Sequence, residues 1–151
     1  MGKQIRFTVG DDISMFQVFK RYVHQTEKNE FYYDGTVANQ FCEIPIDFRN
    51  LEHTYDVFRI LGGYWGNWNE CPTSATMYSV AKDWEESFGA EITAISHDSI
   101  DFKISRKLVE KEMECLIQKI KELHAEANYT GGFEKMKKCI REKAEFSIWW
   151  D

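Results

Sequence analysis

Phe146-Ser147-Ile148-Trp149-Trp150-Asp151, at the end of the sequence, has the pattern of a β-strand that closes the domain. Successive side chains of a β-strand point to opposite faces of the sheet. One of Trp149 and Trp150 should therefore face the core, and the other should pack under a helix or line a surface. We predict a last strand that is docked in the sheet, and we expect its truncation to unfold the domain.

Several earlier segments have the patterns of strands and supply partners for this one. Two of them flank the turn signal Asp34-Gly35 and two flank His97-Asp98, so each pair predicts an antiparallel hairpin. A further segment near the start alternates apolar and polar residues. The predicted strands are residues 4–9, 31–33, 36–46, 91–96 and 99–104.

Apolar residues at helical spacing separate these strands. Asn50 is a candidate cap for a helix that Gly62 would end, although residues 57–61 fit a strand equally well. The other predicted helices are residues 12–26, 74–88, 105–127 and 133–143, the third capped by Ser105. Intermingled helices and hairpins indicate an α+β architecture, a mostly antiparallel sheet with helices packed on it.

The chain of 151 residues fits one domain, residues 1–151, and 43% of its residues are apolar. A domain of this length buries roughly 68–70% of its unfolded surface, so it needs no disulfide or metal to hold a core. No apolar leader and no run of about 18 apolar residues is present. Four cysteines, 29, 44 and 24 residues apart, match no zinc or redox pattern. We expect a soluble cytoplasmic protein without metal or cofactor.

Charge is unevenly distributed within the net value of −6. Residues 1–102 carry 16 acidic and 8 basic side chains, whereas residues 103–143 carry 7 acidic and 11 basic ones. Phosphate contacts need a cationic face, so the acidic part argues against nucleic acid as a partner. It is compatible with a basic protein partner, because complementary charge speeds encounter.

Three motifs stand in order in the second half of the chain. They are Trp68-Asn69-Glu70-Cys71-Pro72, then Trp84-Glu85-Glu86-Ser87-Phe88-Gly89-Ala90-Glu91 followed by Asp98, and the terminal stretch quoted above. Their order and spacing resemble those of domain-of-unknown-function family 4253, a mostly bacterial family of uncharacterised domains. The resemblance covers roughly residues 60–151, and residues 1–60 match no known family. Where the family usually carries Cys-Pro-Asp after the long helix, this chain has Asn128-Tyr129-Thr130-Gly131-Gly132.

The resemblance places the chain among small proteins often found beside toxin and immunity genes. Together with the small size, the acidic first two-thirds of the chain and the lack of a catalytic constellation, this association favours a bacterial immunity protein that occludes the active site of a basic toxin. Tyr64 and Trp65, on a glycine-flanked loop, are the expected apolar anchors. The expected acidic contacts are Asp34, Glu43, Asp47 and Glu70.

Two other functions stay open at this stage. An enzyme would use the region of Cys71, Glu85 and Asp98, with Cys71 activated at a helix N-terminus. The alternative for Cys71 is a buried residue that anchors the loop. His97-Asp98 is a candidate catalytic dyad, and its alternative is a solvent-exposed turn. A regulatory module with another protein partner has the same binding physics as an immunity protein. The sequence predicts no catalytic constellation and no metal-binding spacing.

Overall fold

A seven-stranded sheet organises the computed structural model, which describes residues 3–9, 30–33, 44–67, 70–96 and 98–150. Its strands are β1 (Lys3–Val9), β2 (Glu30–Tyr33), β3 (Ile44–Leu51), β4 (Ala90–Ile95), β5 (Ser99–Ile104), β6 (Glu126–Ala127) and β7 (Glu145–Trp149). Their spatial order is β2-β3-β1-β4-β5-β7-β6. Within the described residues β1 and β4 pair in parallel, and the other neighbours are antiparallel. The mostly antiparallel sheet is therefore confirmed.

Strand β7 lies inside this sheet, between β5 and β6. It pairs with β5 from Ser99 opposite Trp149 to Lys103 opposite Glu145. Trp150 follows the strand with 0% of its surface exposed, while Trp149 is half-buried. The docked last strand and the alternation of the two tryptophans are confirmed.

Four helices complete the described architecture, which is α+β as predicted. They are α1 (Val57–Leu61), α2 (Ser74–Phe88), α3 (Glu110–Glu122) and α4 (Gly132–Lys143). Trp84 of α2 packs against Phe102 of β5, with ring centroids 5.4 Å apart, and against Phe146 of β7. The core therefore lies between the helices and one face of the sheet. Among the described helices, none combines the length and apolar character that crossing a membrane requires.

Helix α3 is shorter than the predicted helix 105–127. It begins at Glu110 because the Glu112 carboxylate accepts a hydrogen bond from the Val109 backbone N–H, at 3.1 Å, and caps the first turn. Its end is set by His124, whose φ of 59° is left-handed. The following residues then join the sheet as β6, so sheet pairing replaces the last predicted turn of helix.

The prediction of a helix from Asn50 was wrong in its first half. Strand β3 extends to Leu51, which is fully buried and pairs with Lys3 of β1. A 3-10 turn over Thr54–Asp56 then leads into α1, which ends at Gly62 with φ 51°. Strand β3 itself begins at Ile44, so the predicted strand 36–46 is described only at its end. The predicted helix 12–26 and the Asp34-Gly35 turn lie outside the described residues.

Candidate functional site

The loop between α1 and α2 is tied to itself and to α2. Gly66 forms a bridge with Thr73, and the Asn67 N–H donates to the Pro72 carbonyl at 3.0 Å. Gly66 has φ 78°, and a Cβ there would overlap the Pro72 carbonyl oxygen, so only glycine fits this close approach. Ser74 Oγ, which is buried, donates to the Gly62 carbonyl at 2.6 Å. These contacts hold the described residues of the loop in place.

Trp65 is the main correction to the sequence-based site. Its side chain is 2% exposed, and its indole N–H donates to the Ser96 carbonyl at 2.8 Å. Its ring meets Phe58 and Trp150 edge-on, at centroid distances of 5.0 and 5.9 Å. The prediction of an exposed apolar anchor is wrong, because these contacts make Trp65 part of the core.

The other predicted contact residues are placed as follows. Glu70 is exposed and lies with its carboxylate 3.3 Å from His124 Nδ1. The backbone of Tyr64 lies in the 3-10 turn Gly62–Tyr64, and that of Asp47 lies in β3. Asp34 and Glu43 lie outside the described residues. Among these, only Glu70 has a described side chain, and it is accessible to a partner.

An open cleft of about 790 Å³ lies between α1, the loop and the first turns of α2. Its lining includes Phe58, Arg59, Gly63, Trp65, Ala75 and Tyr78. Arg59 carries the only formal charge among the described lining residues, and its guanidinium carbon lies 5.9 Å from the centre of the Tyr78 ring. Clefts of this volume with apolar walls are typical of sites that bury a ligand or a partner side chain.

An acidic patch adjoins this cleft at Tyr55, whose ring packs edge-on against Tyr78 with centroids 5.2 Å apart. The pKa of Tyr55 is raised by burial and by three of the neighbouring carboxylates. The ring of His53 stacks on Tyr55 at 4.8 Å and brings a fourth carboxylate, 4.0 Å from its Nε2. The acidic patch consists of Glu52, Asp56, Glu85 and Glu86.

Glu85 is the most enclosed member of the acidic patch. Its side chain is 19% exposed, and Oε2 is buried without a hydrogen-bond partner among the described residues. His53 Nδ1 lies 3.7 Å from this oxygen, which is beyond hydrogen-bond distance. Arg59 is paired with Asp56 at 3.8 Å and Lys3 with Glu91 at 2.8 Å, and Lys82 lies one helical turn before Glu86 on α2. The four carboxylates of the acidic patch outnumber these three described cations.

Cys71 is a buried loop residue with 5% of its surface exposed, as the loop-anchor interpretation expected. Burial raises its pKa to about 12, and the nearby charge of Asp98 adds to the shift. A nucleophilic cysteine needs the opposite change, because the thiolate is the reactive form. Burial therefore shifts the pKa of Cys71 away from the value that an activated nucleophile requires.

We predict that Cys71 resists alkylation at pH 8 in the folded protein. Its thiol should react with iodoacetamide at least about a hundredfold more slowly than that of Cys115, because almost none of it is ionised. Cys115 is exposed and serves as the internal control. Peptide mass mapping during the reaction gives both rates, and comparable rates would contradict the assigned burial.

Since unfolding returns the raised pKa of Cys71 towards 9.0, the contribution of Cys71 to stability should also decline between pH 9 and 12.

Asp98 has a structural role in the β4–β5 hairpin. Its carboxylate accepts a hydrogen bond from Ser96 Oγ at 2.9 Å, and its carbonyl accepts the Trp150 N–H at 2.9 Å. Asp101 of β5 likewise accepts a hydrogen bond from Ser147 Oγ, at 2.6 Å. Among the described residues, no group of three histidine, cysteine or carboxylate side chains is arranged to hold a metal ion. His97 lies outside the described residues.

Sequence reasoning missed most of the cleft and the acidic patch. Arg59 and Tyr78 sit on different helices, and their contact follows only from the packing of α1 on α2. The patch gathers residues from the turn after β3 and from α2. A signal was nevertheless present for Glu85 and Glu86, which lie within the second motif.

Comparison with known proteins assigns about two-thirds of the chain to a family and identifies no activity. Residues 49–151 match a family described as Domain of unknown function (DUF4253). The match begins about ten residues before residue 60, where the resemblance of the motifs began. It therefore includes the turn after β3, which carries Glu52 and Asp56. No curated protein and no solved structure matches the chain. Because the family match spans more than half of the sequence, the chain belongs to the family Domain of unknown function (DUF4253).

Proposed function

We propose that this chain is a bacterial immunity protein that acts in the cytoplasm and neutralises a basic toxin by covering its active site. The observation that carries the proposal is the acidic patch of Glu52, Asp56, Glu85 and Glu86. A partner with a basic catalytic cleft is its electrostatic complement. Such complementarity raises association rates and discriminates against wrong partners.

The patch combines exposed and enclosed carboxylates. The Glu52 side chain is 88% exposed, and Glu86 is also exposed, so both are placed to attract a basic partner at a distance. Glu85 is mostly enclosed and retains a free acceptor oxygen among the described residues. A basic side chain of the partner that reached Glu85 would form a charge-assisted hydrogen bond, which is among the stronger polar contacts.

The net charge of −6 supports the same assignment, because it gives the whole molecule an attractive field for a basic protein. Glu70 is exposed on the loop that contributes Trp65 and Asn67 to the cleft lining, and it stays a proposed acidic contact. In the proposed contact surface, the acidic patch takes the place of Trp65, which is buried. A regulatory module with another basic partner would use the same surface, and capture of a non-toxin protein by pull-down would favour it.

The experiment is co-expression with the toxin encoded next to the gene in a toxin-sensitive host. We expect the wild-type chain to restore growth, and Glu52→Lys combined with Glu86→Lys to reduce protection at least about tenfold in surviving colonies. Close charge pairs at interfaces contribute several kcal/mol, so two reversals suffice.

The matched control is Glu114→Lys combined with Glu126→Lys, two exposed carboxylates on α3 and β6. This control has the same charge change and should protect like the wild type. Failure of the wild-type chain to protect would refute the proposed function. Equal loss in both double variants would show that net charge matters and that the patch does not.

A further inference from the structure

The cleft beside the acidic patch has features that the proposed function leaves unexplained. Its volume is about 790 Å³, and its described walls are mainly aromatic rings, glycines and Ala75. Apolar groups readily displace water from such a cleft, because removing apolar surface from solvent is favourable. The cleft is therefore suited to an apolar side chain.

The charges around the cleft indicate which charge the neighbours of this apolar side chain carry. Arg59, its only described charged lining residue, is already compensated by Asp56 at 3.8 Å and lies over the Tyr78 ring. Tyr78 also packs against Tyr55, whose neighbours include carboxylates of the acidic patch. An occupant that carries positive charge next to its apolar group would fill the cleft and pair with the acidic patch at the same time.

We infer that the cleft receives an apolar side chain from a basic segment of the protein partner, while the neighbouring Lys or Arg residues of that segment bind the acidic patch. The inference rests on the proposed function and specifies how the partner is held. Interfaces concentrate their binding energy in a few anchors that fill pockets, surrounded by weaker polar contacts. The cleft is the pocket of this interface, and the acidic patch is its charged rim.

Gly63 provides a way to fill the cleft without disturbing the fold. A Cβ at Gly63 would have no atom within 4 Å, and its φ lies outside the left-handed region. Gly63→Leu therefore places a side chain into the cleft at little cost to the backbone. Ala75, exposed in the first turn of α2, gives a second and independent filling variant, Ala75→Leu.

The probe is a short fluorescein-labelled synthetic peptide with a Leu-Phe pair between lysines, titrated with the full chain and followed by fluorescence anisotropy. Two matched peptides replace the lysines by glutamates or the Leu-Phe pair by serines. We expect either replacement to weaken binding at least about tenfold, since anchor and charge both contribute. Gly63→Leu and Ala75→Leu should each weaken the parent peptide by a similar factor.

Thr93→Leu is the control, because it adds the same apolar side chain at an exposed position of β4 outside the cleft. Its affinity should equal that of the wild type, and thermal unfolding should show that all variants are folded. The inference is overturned if filling the cleft leaves binding unchanged. It is equally overturned if the glutamate peptide binds best and Arg59→Gln abolishes that binding.

The same variants separate this inference from the proposed function. In the co-expression assay, Gly63→Leu should lose protection while Thr93→Leu keeps it. Protection by the wild type together with full protection by Gly63→Leu would refute the cleft and leave the immunity function standing. Absence of protection by the wild type would refute the function itself.

Discussion

Replacing Trp150 by alanine is expected to lower the free energy of unfolding by about 3–5 kcal/mol, the range for buried tryptophans. Trp150 is fully buried next to β7, and its indole N–H donates to the Leu123 carbonyl at 3.1 Å. Its backbone N–H donates to the Asp98 carbonyl, which joins it to the β4–β5 hairpin. The substitution opens a cavity where these elements meet and leaves the Leu123 carbonyl without this donor.

Urea denaturation followed by circular dichroism measures the change. Trp149→Ala is the matched control, because the adjacent tryptophan is half-buried and should cost clearly less. Natural domains are stable by only about 5–15 kcal/mol, so Trp150→Ala is expected to leave a large unfolded fraction in mild denaturant. A loss from Trp150→Ala no greater than that from Trp149→Ala would contradict the assignment of the two faces.

The regular elements of the described fold were largely predictable, because their patterns are local. The alternation in 99–104 and the apolar spacing of 74–88 correspond to β5 and α2. Errors arose where a tertiary partner overrode a local pattern. Leu51 joined a strand because β1 offers it backbone partners, and the helix predicted to reach 127 ended early because β7 pairs with Ala127.

The site was less predictable because it is assembled from separate segments. The acidic patch needs the turn after β3 to meet α2, and Tyr55 joins the two through Tyr78. Cys71 was assigned correctly as a loop anchor, since a cysteine with no base in its own motif is more often buried than reactive. Trp65 was misplaced because its hydrogen-bond acceptor, Ser96, lies 31 residues away along the chain.

The second large effect is expected for Trp65→Ala, which should also lower the free energy of unfolding by about 3–5 kcal/mol. An exposed anchor would behave in the opposite way, since its removal weakens binding and leaves stability nearly unchanged. Trp65→Phe keeps an aromatic ring and loses the donor to Ser96, so it should fall between alanine and wild type.

A double-mutant cycle on Trp65 and Trp150 tests directly whether Trp65 lies in the core. Trp65 and Trp150 meet edge-on at 5.9 Å, and such aromatic pairs contribute about 0.5–1.5 kcal/mol beyond their burial. The double variant Trp65→Leu with Trp150→Leu removes both rings and should therefore depart from additivity by a comparable amount in urea denaturation. The control pair, Trp149→Leu with Trp65→Leu, should be additive. Additivity in both pairs would mean that Trp65 is not in contact with Trp150, and it would contradict the placement of Trp65 in the core.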